Sequence, residues 1–138
     1  MTTGAGYSGT PLIKKLGIKD ECDLCLINGP ANLMDLLRPL PRDVAFVEAL
    51  QENVDVLLFF AESEGDLASR FVELRSAIRQ DGGLWIAWPK QSSGVVTDLS
   101  DAVVRELGLS HQLVDNKVCA IDETWSALRF VYRLRDRE

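Results

Sequence analysis

Residues 54–60 read VDVLLFF and are apolar except for Asp55. A continuous apolar run of this length is typical of a strand that is buried on both faces, as in a parallel sheet. A second run of this kind, LWIAW, covers residues 84–88. Between the two runs, large apolar residues recur at helical spacing over residues 64–79. The whole stretch therefore predicts a β-α-β crossover whose two strands are parallel, adjacent and central in the sheet.

Glycines and a serine predict where the helices begin and end. Ser63, with an acidic residue three positions later, is expected to cap the helix over residues 64–79. Gly82 and Gly83 are expected to close its far end. A second helix is predicted over residues 100–107 and is expected to stop at Gly108.

The remaining segments complete an α/β pattern over residues 1–138. Four elements are predicted before the β-α-β crossover. The first is a short helix capped by Thr10, with Pro11 at its first position and Gly17 at its end. It is followed by a strand at 24–28, a short helix ending at Leu37, and a strand at 44–47. After the crossover come two strands at 117–121 and 127–134, joined by a polar turn. This order predicts a single Rossmann-like three-layer domain, with a mostly parallel sheet and a C-terminal antiparallel hairpin at its edge.

Composition excludes several classes of protein. Fifteen Lys and Arg residues stand against 21 Asp and Glu residues, a formal charge of −6. Such a chain lacks the basic surface that binds nucleic acid or an anionic membrane. Its longest apolar run, residues 56–61, is too short to span a bilayer. The small, polar first nine residues do not resemble a signal peptide, so a cytoplasmic protein is expected.

Cys22 and Cys25 form a C-x-x-C motif, which is found in redox and metal sites. Here the motif overlaps a predicted strand, where positions three apart point to opposite faces of the sheet. A zinc site would need a second pair of ligands, and His111 and Cys119 do not form one. We therefore expect ordinary buried thiols and no metal.

The element order of the second half is similar to that of class I methyltransferases, in which ligands lie beyond the carboxyl ends of the strands. In this chain Asn28 and Gly29 follow the first predicted strand, and Glu62 follows the third. Glu48, near the end of the second, is the candidate acid for the ribose hydroxyls of a cofactor; the alternative is a solvated acid. The first loop has a single glycine, and Pro30 removes a backbone donor. We therefore expect neither S-adenosylmethionine nor NAD as a cofactor.

Lys90 directly follows the strand at 84–88 and opens a loop containing Ser92 and Ser93. A lysine and nearby backbone N–H groups can hold a phosphate or a carboxylate. Trp88, at the end of the same strand, is a candidate to cover such a ligand. The alternative is that Lys90 is a surface residue, or that it pairs with one of two acids in the following loop and helix, Asp98 or Asp101.

The segments 115–117 and 122–126 are also rich in polar groups, next to Trp125. They could form a pocket wall that contacts a substrate. The favoured interpretation is structural, with residues 122–124 as a hairpin turn and Trp125 as a packing anchor.

Four strings are distributed over nearly the whole length of the chain: GYSGTPL at 6–12, KLGI at 15–18, LWIAWPK at 84–90 and VDNKVCAIDETWS at 114–126. Together they resemble a small bacterial family known as a domain of unknown function, DUF3052. The resemblance implies a soluble bacterial protein of this size, without an established activity or catalytic residues.

Three functions remain as hypotheses. The first is a non-catalytic binding or interaction module, with a small anionic ligand near Lys90. The second is a degenerate relative of the methyltransferases that still binds S-adenosylmethionine. The third is an adaptor that uses the edge of its C-terminal hairpin to pair with a partner, a second copy of the chain included.

Overall fold

The computed structural model describes residues 11–137. Its strands are β1 (Asp23–Ile27), β2 (Ala45–Val47), β3 (Val54–Phe60), β4 (Ile78–Pro89), β5 (Leu113–Ala120) and β6 (Trp125–Tyr132). Its α-helices are α1 (Leu12–Leu16), α2 (Leu33–Leu37), α3 (Glu64–Ala77) and α4 (Asp101–Ser110).

All six strands form one sheet in the order β2-β1-β3-β4-β6-β5. The first four of these are parallel, while β6 runs antiparallel to β4 and β5 antiparallel to β6. The predicted adjacent, central strands are β3 and β4, and the predicted hairpin forms one edge. The α/β class and the predicted arrangement of the strands are therefore confirmed.

Helices cover both faces of the sheet. On one face, apolar residues of α3 and α4 share a core with Leu57, Phe59 and Ile86. On the other face, α1 and α2 pack over Leu58, Phe60 and neighbouring side chains. The alternation of side chains along each strand produces these two separate cores, and it confirms the three layers.

The cysteines follow this alternation. Cys22 lies in the core beneath α1 and α2, and Cys25 in the core beneath α3 and α4. Both thiols are free and buried, as is Cys119. Burial raises the pKa of all three thiols above its ordinary value, because a thiolate is poorly solvated there. The prediction of buried, opposed thiols is confirmed.

The prediction that Gly82 and Gly83 close the helix is wrong. Helix α3 ends at Ala77, and Ile78 already pairs with Val54 of β3, so both glycines lie inside β4. A Cβ atom at Gly83 would come within 2.5 Å of the Nε atom of Arg129 on β6. The glycines therefore permit close packing within the sheet.

Gly108 does not end its helix either. Helix α4 continues to Ser110, and Gly108 is buried inside it against the ring of Phe130. The close approach of helix and sheet requires glycine at this position. By contrast, the predicted cap of α3 is confirmed, because the Ser63 hydroxyl accepts a hydrogen bond from the Asp66 N–H at 3.1 Å.

The predicted ends of several terminal elements change. Pro11 occupies the N-cap of α1 instead of its first helical position, and Thr10 lies outside the described residues. Gly17 ends α1 in the left-handed conformation, as predicted, with φ of 79°. Strand β5 begins at Leu113, four residues before the prediction. Strand β6 ends at Tyr132, and Leu134 lies in the 3-10 turn Leu134–Asp136 that follows.

No helix in the described part of the chain is long and apolar enough to cross a membrane.

Candidate functional site

The carboxyl ends of the parallel strands converge at one edge of the sheet, here called the carboxyl edge. From β1 the chain runs to β2 on one side and then returns to β3 on the other. The gap between β1 and β3 is thus a topological switch point. In open α/β sheets, ligands bind in the crevice beyond such a point.

A cleft of about 210 Å³ lies at this position and is here called the switch-point cleft. Five side chains line it: Asn28, Phe60, Glu62, Asp66 and Trp125. Asn28 and Glu62 were predicted from the sequence as ligand-binding residues, and the fold brings them together. Phe60 and Asp66 were not predicted as part of a site, and Trp125 was named only in the alternative in which residues 122–126 form a pocket wall.

Asn28 follows β1 directly and adopts a left-handed conformation, with φ of 60°. Asparagine tolerates this conformation better than most residues, because its short side chain can hydrogen-bond locally. The turn takes the chain out of the sheet at the switch point and leaves the Asn28 side chain exposed at the cleft.

Two aromatic rings form the apolar wall of the cleft. The rings of Phe60 and Trp125 meet edge to face, with centroids 4.9 Å apart. Trp125 is placed by the turn before β6, where one carboxylate oxygen of Asp122 accepts hydrogen bonds from the N–H groups of Thr124 and Trp125, both at 2.9 Å. The structural interpretation of this turn is confirmed.

The polar wall is acidic. Glu62 follows β3, and Asp66 lies in the first turn of α3. Both side chains are exposed, and none of the described residues that line the cleft is basic. A ligand here would meet hydrogen-bond acceptors from both acids, so hydroxyl or ammonium groups are its complement.

Gly29 lies next to the cleft, but its lack of a side chain serves the packing of a helix. A Cβ atom at Gly29 would come within 2.5 Å of the Cδ2 atom of Leu33, at the start of α2. The glycine therefore admits Leu33 to the core. Pro30 follows and offers no N–H to a ligand.

Glu48 immediately follows β2, the outermost parallel strand, and its side chain is exposed. It is not among the residues that line the switch-point cleft. Its role toward a cofactor stays a prediction.

Lys90 lies at the same edge, beyond the end of β4. Its Nζ atom donates a hydrogen bond to the Asp122 carbonyl oxygen at 2.7 Å, and its backbone N–H donates to the Thr124 carbonyl at 2.8 Å. The alternative in which Lys90 pairs with Asp98 or Asp101 is wrong. Asp98 instead accepts from the Glu64 N–H, and Asp101 forms an ion pair with an arginine of its own helix.

The loop after Lys90 is a 3-10 turn, Gln91–Ser93. The Ser93 hydroxyl donates to the Lys90 carbonyl at 2.6 Å and accepts from the Val95 N–H at 3.2 Å, whereas Ser92 is exposed. Trp88 is only 5% exposed and packs in the core beneath α3 and α4, on the face opposite Phe60 and Trp125. Anion binding at Lys90, Ser92 and Ser93, with Trp88 as a cover, stays a prediction.

Polar side chains of the segment 115–117 also make hydrogen bonds within the protein. Asp115 accepts a hydrogen bond from Arg105 Nε at 3.1 Å, and Asn116 accepts one from Arg129 at 3.4 Å. Within residues 11–137, no group of three or more potential ligands could hold a metal ion.

Several solved structures that share this fold are methyltransferases. A SAM dependent methyltransferase from Aquifex aeolicus aligns with a TM-score of 0.62 and 12% identity over 86% of each chain. The precorrin-6y C5,15-methyltransferase from Geobacter metallireducens aligns with a TM-score of 0.57 and 11% identity, over 88% of this chain and 85% of the other.

The O-methyltransferase NcsB1 from neocarzinostatin biosynthesis, solved in complex with S-adenosylmethionine, aligns with a TM-score of 0.62 and 10% identity. The alignment covers 94% of this chain but 51% of NcsB1, so the chain spans about half of that enzyme. At these identities, the likeness establishes a methyltransferase-like Rossmann fold and nothing about activity.

No curated protein matches the sequence. A family described as a protein of unknown function, DUF3052, matches residues 12–134, which is nearly the whole chain. The resemblance found in the sequence strings is thereby confirmed, and the chain belongs to the DUF3052 family.

Proposed function

We propose that this protein is a non-catalytic small-molecule-binding domain, and that its ligand lies at the carboxyl edge of the sheet. The observation that carries the proposal is the switch-point cleft. Asn28, Glu62 and Trp125 come from three distant parts of the chain and meet where this class of fold binds ligands. A mixture of aromatic and polar walls is typical of small-molecule sites.

The first loop argues against methyl transfer. A cofactor site of this fold needs glycines that let the backbone approach the ligand, together with free N–H donors. Here the space beside Gly29 is taken by Leu33, and Pro30 has no N–H. The cleft, at about 210 Å³, is also smaller than the roughly 300–1,000 Å³ typical of sites that enclose a drug-sized ligand.

The charged residues at the carboxyl edge favour a ligand with two chemically different ends, because acids line the cleft and a lysine follows the next strand. The carboxylates of Glu62 and Asp66 offer hydrogen-bond acceptors at the cleft. Lys90 follows β4, the strand adjacent to β3, and adjacent strands lie about 4.8 Å apart. Its ammonium group has three N–H bonds, one of which is donated to Asp122. We therefore propose a small polar ligand whose hydroxyl or amine groups face the two acids and whose anionic group reaches Lys90.

The anionic end can be tested with inorganic phosphate. Phosphate should raise the melting temperature more than chloride does at matched ionic strength. At about 100 times its Kd, a ligand adds about 2.7 kcal/mol, which is several degrees for a domain of this size. The increment specific to phosphate should shrink in Lys90→Ala, because the variant removes the local charge.

The matched control is Lys117→Ala, which removes an exposed lysine on the edge strand β5. This control is needed because phosphate stabilises proteins generally through exclusion from their surface. Lys117→Ala should keep the full response of the wild type. Equal responses in all three proteins would show that Lys90 holds no anion.

The alternative function is a degenerate methyltransferase relative that still binds S-adenosylmethionine. Its support is the fold, since the matching structures include a SAM dependent methyltransferase, together with the exposed Glu48 beyond β2. An increase in melting temperature with S-adenosylmethionine that disappears in Glu48→Ala would favour this alternative.

A further inference from the structure

A second concave surface lies at the other end of the sheet, near the amino ends of β1 and β2. It has a volume of about 630 Å³ and is here called the amino-edge groove. One wall comes from α1 and the turn before β1, and the other from the end of α2 and the prolines that follow it. None of the described residues lines both this groove and the switch-point cleft.

The walls of the groove are largely apolar. Leu12 and Ile18 contribute from the first side, and Leu36, Pro39 and Pro41 from the second. Leu12 and Leu36 are only partly buried, so their side chains are available to a ligand. The volume falls within the roughly 300–1,000 Å³ of sites that bind drug-sized molecules.

The charges around the groove oppose the charge of the whole protein. Among residues 11–137, three basic residues, Lys14, Lys19 and Arg38, line it with a single acid, Asp20. Asp20 already interacts with Arg42. The Asp20 carboxylate accepts a 3.0 Å hydrogen bond from the Arg42 backbone N–H, and it lies 3.7 Å from the Arg42 guanidinium group. The groove is therefore locally positive in a chain with a net charge of −6.

In the described part of the chain, Arg38 has one acidic neighbour, Asp35, at 4.0 Å, and both side chains are mostly exposed. An exposed contact at this distance is weak and readily exchanged. The guanidinium group can therefore turn to an anion in the groove, and its fork of N–H donors suits a carboxylate.

We propose that the amino-edge groove binds an apolar monocarboxylate, a molecule with a hydrocarbon body and one carboxylate group. The body would lie against Leu12, Leu36 and Pro39, and the carboxylate would face the basic residues. Charge complementarity favours a carboxylate over an amine, and the apolar walls favour a hydrocarbon body over a small inorganic anion. This site is independent of the ligand proposed for the carboxyl edge.

The test is isothermal titration calorimetry of the full-length protein, which measures its affinity for octanoate, octylammonium and butyrate. Octanoate should bind and octylammonium should not, because the two have hydrocarbon chains of similar length and head groups of opposite charge. Butyrate should bind much more weakly, since each methylene group removed from water contributes about fourfold in affinity. Equal binding of octanoate and octylammonium, or of octanoate and butyrate, would overturn the proposal.

Variants locate the site. The triple variant Lys14→Gln/Lys19→Gln/Arg38→Gln removes the positive charges and should weaken octanoate binding by about tenfold, as expected for three exposed contacts. Lys117→Gln, on the opposite edge of the sheet, should bind like the wild type. Because all three replaced side chains are exposed, the triple variant should stay folded. Wild-type affinity in the triple variant would show that octanoate binds elsewhere.

Discussion

Replacing Gly108 with alanine should destabilise the protein by about 1–3 kcal/mol, although alanine is the better helix former. The new Cβ atom would overlap the ring of Phe130, which is fully buried. That ring cannot move freely, because Phe71 packs against it edge to face, with centroids 6.1 Å apart, and Phe71 is itself stacked on His111 at 4.5 Å. Helix α4 would have to shift away from the sheet.

Gly65→Ala is the matched control. Gly65 lies in the first turn of α3, it is exposed, and a Cβ atom there would meet nothing within 4 Å. This variant should be neutral or more stable by up to about 1 kcal/mol, the usual gain from alanine in a helix. Urea denaturation of both variants measures the two changes. Changes of the same sign would contradict the packing described for Gly108.

Trp85→Ala should destabilise the protein by about 3–5 kcal/mol, as the loss of a large core side chain does. Trp85 is fully buried, and its indole N–H donates a 2.9 Å hydrogen bond to the Leu16 carbonyl, 69 residues away. This bond joins the end of α1 to the centre of the sheet. A loss of this size is a large part of the free energy of unfolding of a typical domain, which is roughly 5–15 kcal/mol.

Trp85→Phe separates the hydrogen bond from the packing. It leaves the Leu16 carbonyl without its donor, which costs about 1–3 kcal/mol if the group stays buried. Trp88→Phe is the control: Trp88 lies on the other face of β4, and its indole makes no hydrogen bond with residues 11–137. In urea denaturation, Trp85→Phe should be the less stable of the two. Equal stability would mean that the bond to α1 contributes nothing.

The central strands could be predicted because each contains a run of consecutive apolar residues. Strand β3 has the predicted bounds, since an apolar run buried on both faces leaves little choice of structure. Its one polar residue, Asp55, bonds to the Asp23 backbone N–H at 2.8 Å and lies 3.5 Å from Arg79. It thus serves the pairing of β1, β3 and β4.

The predictions for Gly83 and Gly108 are wrong because the role of each glycine depends on distant residues. The sequence predicts both as helix ends, since helices commonly end at a glycine. In the structure they instead leave room for Arg129 and Phe130, both from the last strand. Local sequence does not contain that information, since the contacts form only when β6 inserts beside β4.

Only some of the residues that line the switch-point cleft could be predicted from local sequence. Asn28 and Glu62 follow parallel strands, so the rule for carboxyl ends finds them. Trp125 begins an antiparallel strand and Asp66 lies in a helix, so the same rule passes over both. One available signal was that Phe60 and Trp125 are aromatic residues at strand ends, where side chains can extend beyond the sheet.

Native mass spectrometry of the freshly purified, full-length protein tests the central claim most directly. If the carboxyl edge holds a small polar ligand, the wild type should carry an added small-molecule mass. The double variant Glu62→Gln/Asp66→Asn should lose that mass, because it removes both acids of the cleft. Glu106→Gln, which changes an exposed acid on α4, should retain it. A wild type that carries no added mass, or a double variant that retains it, would contradict the account.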